Sequence, residues 1–137
     1  MDIETGKKFV KEGNYLEAEK IFINLLNKDE NPMLANYFLG TIYFELQNYK
    51  KSKFHYERSL KLNPNSKEIL INLGYLEQTY GNFKPAKVIY EKLFTLYPYY
   101  IETYYRMYLL NSDNLKEEYK NLFIELVKKR NISLNER

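Results

Sequence analysis

The chain contains no cysteine and no tryptophan, only five glycines and four prolines, and a single histidine. Without cysteine there is neither a disulfide framework nor a thiolate metal site, and the redox compartment stays open. Nowhere does an apolar run approach the ~18 residues of a membrane-crossing helix. The segment from Met1 to Val10 carries Asp2 and Glu4. A secretion leader needs a basic start and an apolar stretch there, so the expected location is cytoplasmic. The excess of basic over acidic side chains is also small. Twenty-one against 18 give a net charge of +3, too little to argue for nucleic acid or an anionic membrane as partner.

What is present is enough apolar surface for a core. Of the 137 residues 45% are hydrophobic and 17% aromatic, with 15 tyrosines, unlike the profile of a disordered chain. The length suits about one domain.

The organisation is a repeat. Gly6, Gly40 and Gly74 are spaced by 34 residues, as are Asn14, Asn48 and Asn82. The same interval links Tyr15, Tyr49 and Phe83, then Ala18, Ser52 and Ala86, then Phe22, Tyr56 and Tyr90. Pro64 and Pro98 close the second and third units. Five columns in one register mark a repeat architecture.

Each unit reads as two helices. The first helices are predicted over 2–12, 34–46, 68–80 and 101–111, the second over 15–28, 49–62, 83–96 and 115–129. Gly13-Asn14, Gln47-Asn48 and Gly81-Asn82 separate them, with each asparagine as the expected N-cap. Asn14 with Glu17 resembles a capping box. Pro85 falls in a first helical turn, where a missing N–H costs little. The small residues at Gly6, Gly40 and Gly74, and at Ala18, Ser52 and Ala86, predict close helix approach. The large Phe22, Tyr56 and Tyr90 are expected to fill space between neighbouring pairs. The fourth unit is degenerate: Tyr108 stands at the glycine position, and Asn114 comes 32 residues after Asn82. Terminal repeats are often atypical because their outer face meets water.

These columns resemble the tetratricopeptide repeat family. Leu39-Gly40, Tyr43, Ser52, Tyr56 and Pro64 carry the resemblance in the second unit, and Leu73-Gly74, Ala86, Tyr90 and Pro98 in the third, where Glu77 replaces the usual aromatic. Gly6, Phe9, Ala18 and Phe22 carry it in the first. The resemblance implies an all-α fold, a right-handed superhelical solenoid of antiparallel helix pairs, over residues 1–130. The units are 1–32, 33–66, 67–100 and the degenerate 101–130, followed by a tail, 131–137. It implies a non-catalytic scaffold that holds a peptide or helix of a partner protein in the concave groove lined by the first helices. No cofactor and no metal are expected.

Carrying the family's groove positions over gives Lys7 from the first unit, Tyr37, Thr41 and Phe44 from the second, Ile71, Asn72 and Tyr75 from the third, and Tyr105 and Arg106 from the fourth. Within a helix the spacing supports this: Tyr37, Thr41 and Phe44 recur at intervals of four and three, and Ile71 and Tyr75 at an interval of four. The groove is expected to take apolar anchors, with the Asn72 amide offered to partner backbone and the tyrosines giving contact area at low entropy cost. Some family members grip the acidic C-terminal tails of chaperones with a clamp of Lys, Asn and Arg. The matching positions hold Ile3, Lys7, Phe38, Glu68 and Asn72 in one frame and Tyr37, Thr41, Asn72, Glu102 and Arg106 in the next. Neither frame forms the clamp, which argues against such tails as partners.

Other constellations carry no chemistry. His55 has no Ser/Asp or Cys companions that would make a catalytic set and reads as a surface residue. The basic runs Lys50-Lys51 with Lys53, and Lys128-Lys129-Arg130, read as solvated faces, the latter at a helix C-terminus that favours cations. Ser133 and Glu136 have capping-box spacing, which leaves open a recruiting arm for a larger enzyme such as a sulfotransferase or glycosyltransferase. A self-associating adaptor is the other alternative, through an uncapped end exposing Tyr104, Tyr108 and Leu110.

Overall fold

A computed structural model describes residues 2–110 and, beyond them, Asn121, Ile124, Glu125 and Lys128. The elements are α1 (Ile3–Lys11), α2 (Tyr15–Asn27), α3 (Pro32–Glu45), α4 (Tyr49–Leu62), α5 (Lys67–Thr79), α6 (Phe83–Leu96) and α7 (Ile101–Leu110). They start and end within two residues of where the repeat places them, and no strand occurs among the described residues. The second helix of the fourth unit and the Ser133 capping box lie outside the described residues, apart from the four isolated positions, which are helical.

The repeated glycines mark where a ring lands. A methyl group on Gly6 would sit 2.7 Å from Phe22 Cζ, one on Gly40 2.6 Å from Tyr56 Cδ1, and one on Gly74 2.5 Å from Tyr90 Cε1. Each ring comes from the second helix of the same unit, so it fills the contact within a pair. The rings also reach the next pair, as the sequence predicts: Phe22 stacks on Phe38 at 5.0 Å, Tyr56 clusters with Leu73 and Leu76, and Tyr90 with Met107. Tyr56 and Tyr90 are almost fully buried, and burying a side chain of this size is worth roughly 1.5–3 kcal/mol.

The turns inside the three units are identical in hydrogen bonding. Gly13 and Asn14 N–H donate to the Val10 and Phe9 carbonyls, Gln47 and Asn48 to Phe44 and Tyr43, and Gly81 and Asn82 to Gln78 and Glu77. This pair of bonds closes a helix through a left-handed residue. Gly13 and Gly81 occupy it freely at φ 76° and 91°, whereas Gln47 holds it at φ 61° against the steric preference of an L side chain.

The capping expectation is corrected at two of three asparagines. Only Asn48 caps, accepting from Lys51 N–H at 3.2 Å; Asn14 and Asn82 make no side-chain cap bond. Asn82 instead turns its amide to Glu77 Oε2 at 2.9 Å. Asp2 and Ser66 cap α1 and α5.

The core runs along the array. Ala18, Phe22 and Leu25 of α2 meet Ala35, Leu39 and Ile42 of α3. Tyr56 joins Leu73 and Leu76 of α5. Leu70, Tyr90, Leu93 and Met107 join α5, α6 and α7. Each pair thus buries its face on the next, as a solenoid requires. Tyr104 is 1% exposed, packs edge-on against Phe94 at 5.3 Å and donates its hydroxyl to the Pro98 carbonyl. It is therefore core, and the expected apolar end surface loses this member.

Candidate partner-binding groove

The first helices α3, α5 and α7 carry most of the expected groove residues, and several converge. Asn72 on α5 donates its amide to the Tyr37 hydroxyl on α3 at 2.9 Å. One carbonyl and one amide hydrogen of Asn72 remain for a partner. The Phe44 ring lies 5.4 Å from that of Tyr75. The Arg106 guanidinium lies 4.1 Å from the Tyr75 centroid, and its Nε donates to Glu102 Oε1 at 2.9 Å. A guanidinium held between a ring and a carboxylate has little freedom left to lose on binding. Asn72, Tyr75, Glu102 and Arg106 line a depression of about 340 Å³ between α5 and α7.

Other expected residues are placed differently. Ile71 is only 8% exposed and forms wall and core at once. Thr41 turns inward: its hydroxyl donates to the Tyr37 carbonyl at 3.3 Å and sits 2.9 Å from the Tyr56 hydroxyl. Lys7 is paired with Glu4 of its own helix at 3.6 Å and does not line the depression. Tyr105, 37% exposed, also lies outside its lining. Tyr100 and Ile101 line it as well, and the carried-over groove positions include neither. Tyr100 precedes α7, in the turn after Pro98, whereas a helical period selects only positions on helices. An aromatic just before a helix start is the signal the sequence offers there.

The local charges balance. Burial holds the Tyr37 hydroxyl above the usual phenol value; the bond from Asn72 opposes this and Glu68 adds to it. Burial likewise raises Tyr100, with Glu102 and Glu68 adding to it. Both phenols therefore stay neutral at physiological pH. Glu68 and Glu102 are offset by Arg106 and by Lys67, whose ammonium stands 5.2 Å over the Tyr100 ring. Nothing here offers the excess positive charge that a carboxylate terminus needs. Among the described residues no cluster of three or more His, Cys, Asp or Glu could hold a metal, and no helix is long and apolar enough to cross a membrane.

Comparison with known proteins agrees with this architecture. The tetratricopeptide repeat model matches residues 34–66. The uncharacterized protein ycf37 of Pyropia yezoensis is 37% identical over 76 residues, which cover 54% of this chain and 42% of the relative. That of Guillardia theta is 29% identical over 97 residues, 62% of this chain and 54% of the relative. The chain thus spans about half the length of the curated relatives it matches. Among solved structures, a MamA crystal structure superposes with a TM-score of 0.79 at 22% identity, covering 94% of this chain and 71% of that one. YrrB, described as a TPR protein with an unusual peptide-binding site, gives 0.77 at 18% identity over 94% and 67%. The first TPR of Spaghetti (RPAP3), bound to the HSP90 peptide SRMEEVD, gives 0.62 at 19% over 93% and 89%. Residues 34–66 form a tetratricopeptide repeat, and the helix pairs on either side continue its register in the helical solenoid that these neighbours share.

Proposed function

We propose that the chain is a non-catalytic scaffold that holds a peptide or helix of a partner protein along α3, α5 and α7. The observation that supports this best is the aromatic and polar cluster at the α5–α7 depression. Asn72, Tyr75 and Arg106 are oriented there by Tyr37, Phe44 and Glu102. Large, pre-oriented side chains around a concave site are what interface hot spots require. Two structural neighbours, YrrB and RPAP3, are described as peptide-binding, which fits the same mode. The partner segment is expected to carry apolar anchors. An acidic tail of the kind held by RPAP3 fits poorly, because Glu68 and Glu102 occupy clamp positions. The test is a pull-down with mass spectrometry, comparing the native chain with Tyr75→Ala/Asn72→Ala. A partner captured by the first and lost from the second supports the groove; equal capture by both refutes it.

A further inference from the structure

A second depression, of about 530 Å³, lies where α2 and the start of α3 meet α4, and it shares no lining residue with the groove. Leu26, Phe54 and Leu62 supply apolar wall, and Arg58 and Lys61 stand at the rim. Phe54 and Leu62 are 52% and 56% exposed, on either side of Arg58 along α4 at intervals of four residues. Large apolar side chains left this open on one helix face beside a concavity are the feature that needs an explanation.

The wall is pre-organised. Asn36 donates its amide to the Pro32 carbonyl at 2.8 Å, which turns its oxygen to His55 Nδ1 at 2.9 Å. Nδ1 therefore carries the proton in the neutral ring. The imidazole is stacked on Tyr43 at 5.4 Å and meets Phe54 edge-on at 5.1 Å. Burial, with Arg58 and Lys51 adding to it, holds His55 below the usual histidine value, so the fixed cations of the wall are Arg58 and Lys61. The Arg58 guanidinium lies 5.1 Å from the Phe54 centroid, which fixes it at the rim.

The charge is local. In a chain of net charge +3, α4 alone carries Lys50, Lys51, Lys53, Arg58 and Lys61 against one acid, Glu57. Lys53 is committed to Glu77 at 2.9 Å. Among the described residues neither Arg58 nor Lys61 is ion-paired, although Asp29 contributes to the same wall.

We propose that this depression is a second docking site, for an acidic segment of a partner protein that places an apolar side chain against Phe54 and Leu62 and carboxylates on Arg58 and Lys61. The concavity with its apolar wall suits a side chain rather than a flat lipid surface. Two cations at one rim suit one or two carboxylates rather than a ladder of phosphates. With the groove on the first helices, such a site lets one scaffold hold two segments at once.

The test uses the full chain and two fluorescein-labelled peptides of about 14 residues, with leucine at every third or fourth position. One has glutamate at the remaining positions and the other glutamine. At low salt the glutamate peptide is expected to bind at least ~10-fold more tightly, and to weaken as salt rises. Arg58→Glu/Lys61→Glu is expected to remove that advantage with an unchanged circular-dichroism melt, and Tyr75→Ala to leave it intact. Equal binding of the two peptides, failure of both to bind, or indifference to the charge reversal overturns the proposal. So does Arg58- and Lys61-dependent sedimentation with phosphatidylserine-containing vesicles when the peptide does not bind, an outcome that assigns the surface to a membrane.

Discussion

The second and third units share one backbone and one register but fill it with different chemistry. In the second, Ser52 and Ser59 donate to the Gly40 and Met33 carbonyls at 2.6 and 2.7 Å, and Asn36 meets His55. Thirty-four residues on, the same four places hold Ala86, Leu93, Leu70 and Ile89. The polar pair has been replaced as a pair, and so have the serines. Conversely, the third unit buries Glu77 where the second has Tyr43, answered by Lys53 from the second unit and by Asn82. The lesson is that the solenoid specifies shape at the glycine–ring contact and leaves the rest of these two units' interior free to be polar or apolar, with the polar side chains paired where they occur.

Breaking what the units share should have the largest effect. Tyr56→Ala and Tyr90→Ala are each expected to lose about 3–5 kcal/mol in denaturant unfolding, the cost of removing a buried ring and leaving a cavity. A much smaller loss in one unit would mean that the contact is not equivalent.

The polar interior gives the next effect. Asn36→Leu strands the His55 proton and should cost about 1–3 kcal/mol. Asn36→Leu/His55→Ile, which copies the third unit, should recover most of that loss, so a double-mutant cycle must show strong coupling. Lys53→Met leaves the Glu77 carboxylate without its cation and should cost about 1–3 kcal/mol, moderated because Lys53 is itself half-exposed. Lys87→Met, the same column one unit later, should be close to neutral.

The smallest effect is at the turn. Gln47→Gly should stabilise by about 1 kcal/mol by relieving a left-handed side chain, and Gly81→Gln should destabilise by a similar amount. Thermal melts read both; opposite signs are the result to look for.

Alkali offers a check on the shared core. Burial raises Tyr43 to about 12, with Glu19 adding to it, and raises Tyr56 and Tyr90 well above the usual phenol value. These groups are protonated in the fold and ionise more easily when unfolded. Their contribution is therefore fully present below about pH 10 and is lost as pH rises through the folded values. Urea midpoints should hold level from pH 7 to 9 and fall above pH 10.

Much of the fold was legible because packing imposes a period. Gly6, Gly40 and Gly74 recur since a ring must land on each. What the period could not show was which partner each polar side chain takes. Asn14, Asn48 and Asn82 look alike in sequence, yet only Asn48 caps, because Asn82 is drawn to a buried glutamate from across the turn. His55 reads as a surface residue until Asn36 is seen to hold it. The groove positions carried over from the family resemblance gathered Tyr37, Asn72, Tyr75 and Arg106 but included Lys7, which pairs within its own helix, and passed over Tyr100, which lies on no helix.

The central claim is that a partner lies along the first helices, and photocrosslinking tests it even while the partner is unidentified. Benzoylphenylalanine is placed at Tyr75 in the groove and, as a control, at Leu16, which is 66% exposed on α2. A discrete crosslinked partner from position 75 that is absent from position 16 is the predicted result. Equal crosslinking from both positions, or adducts from position 16 alone, would contradict it.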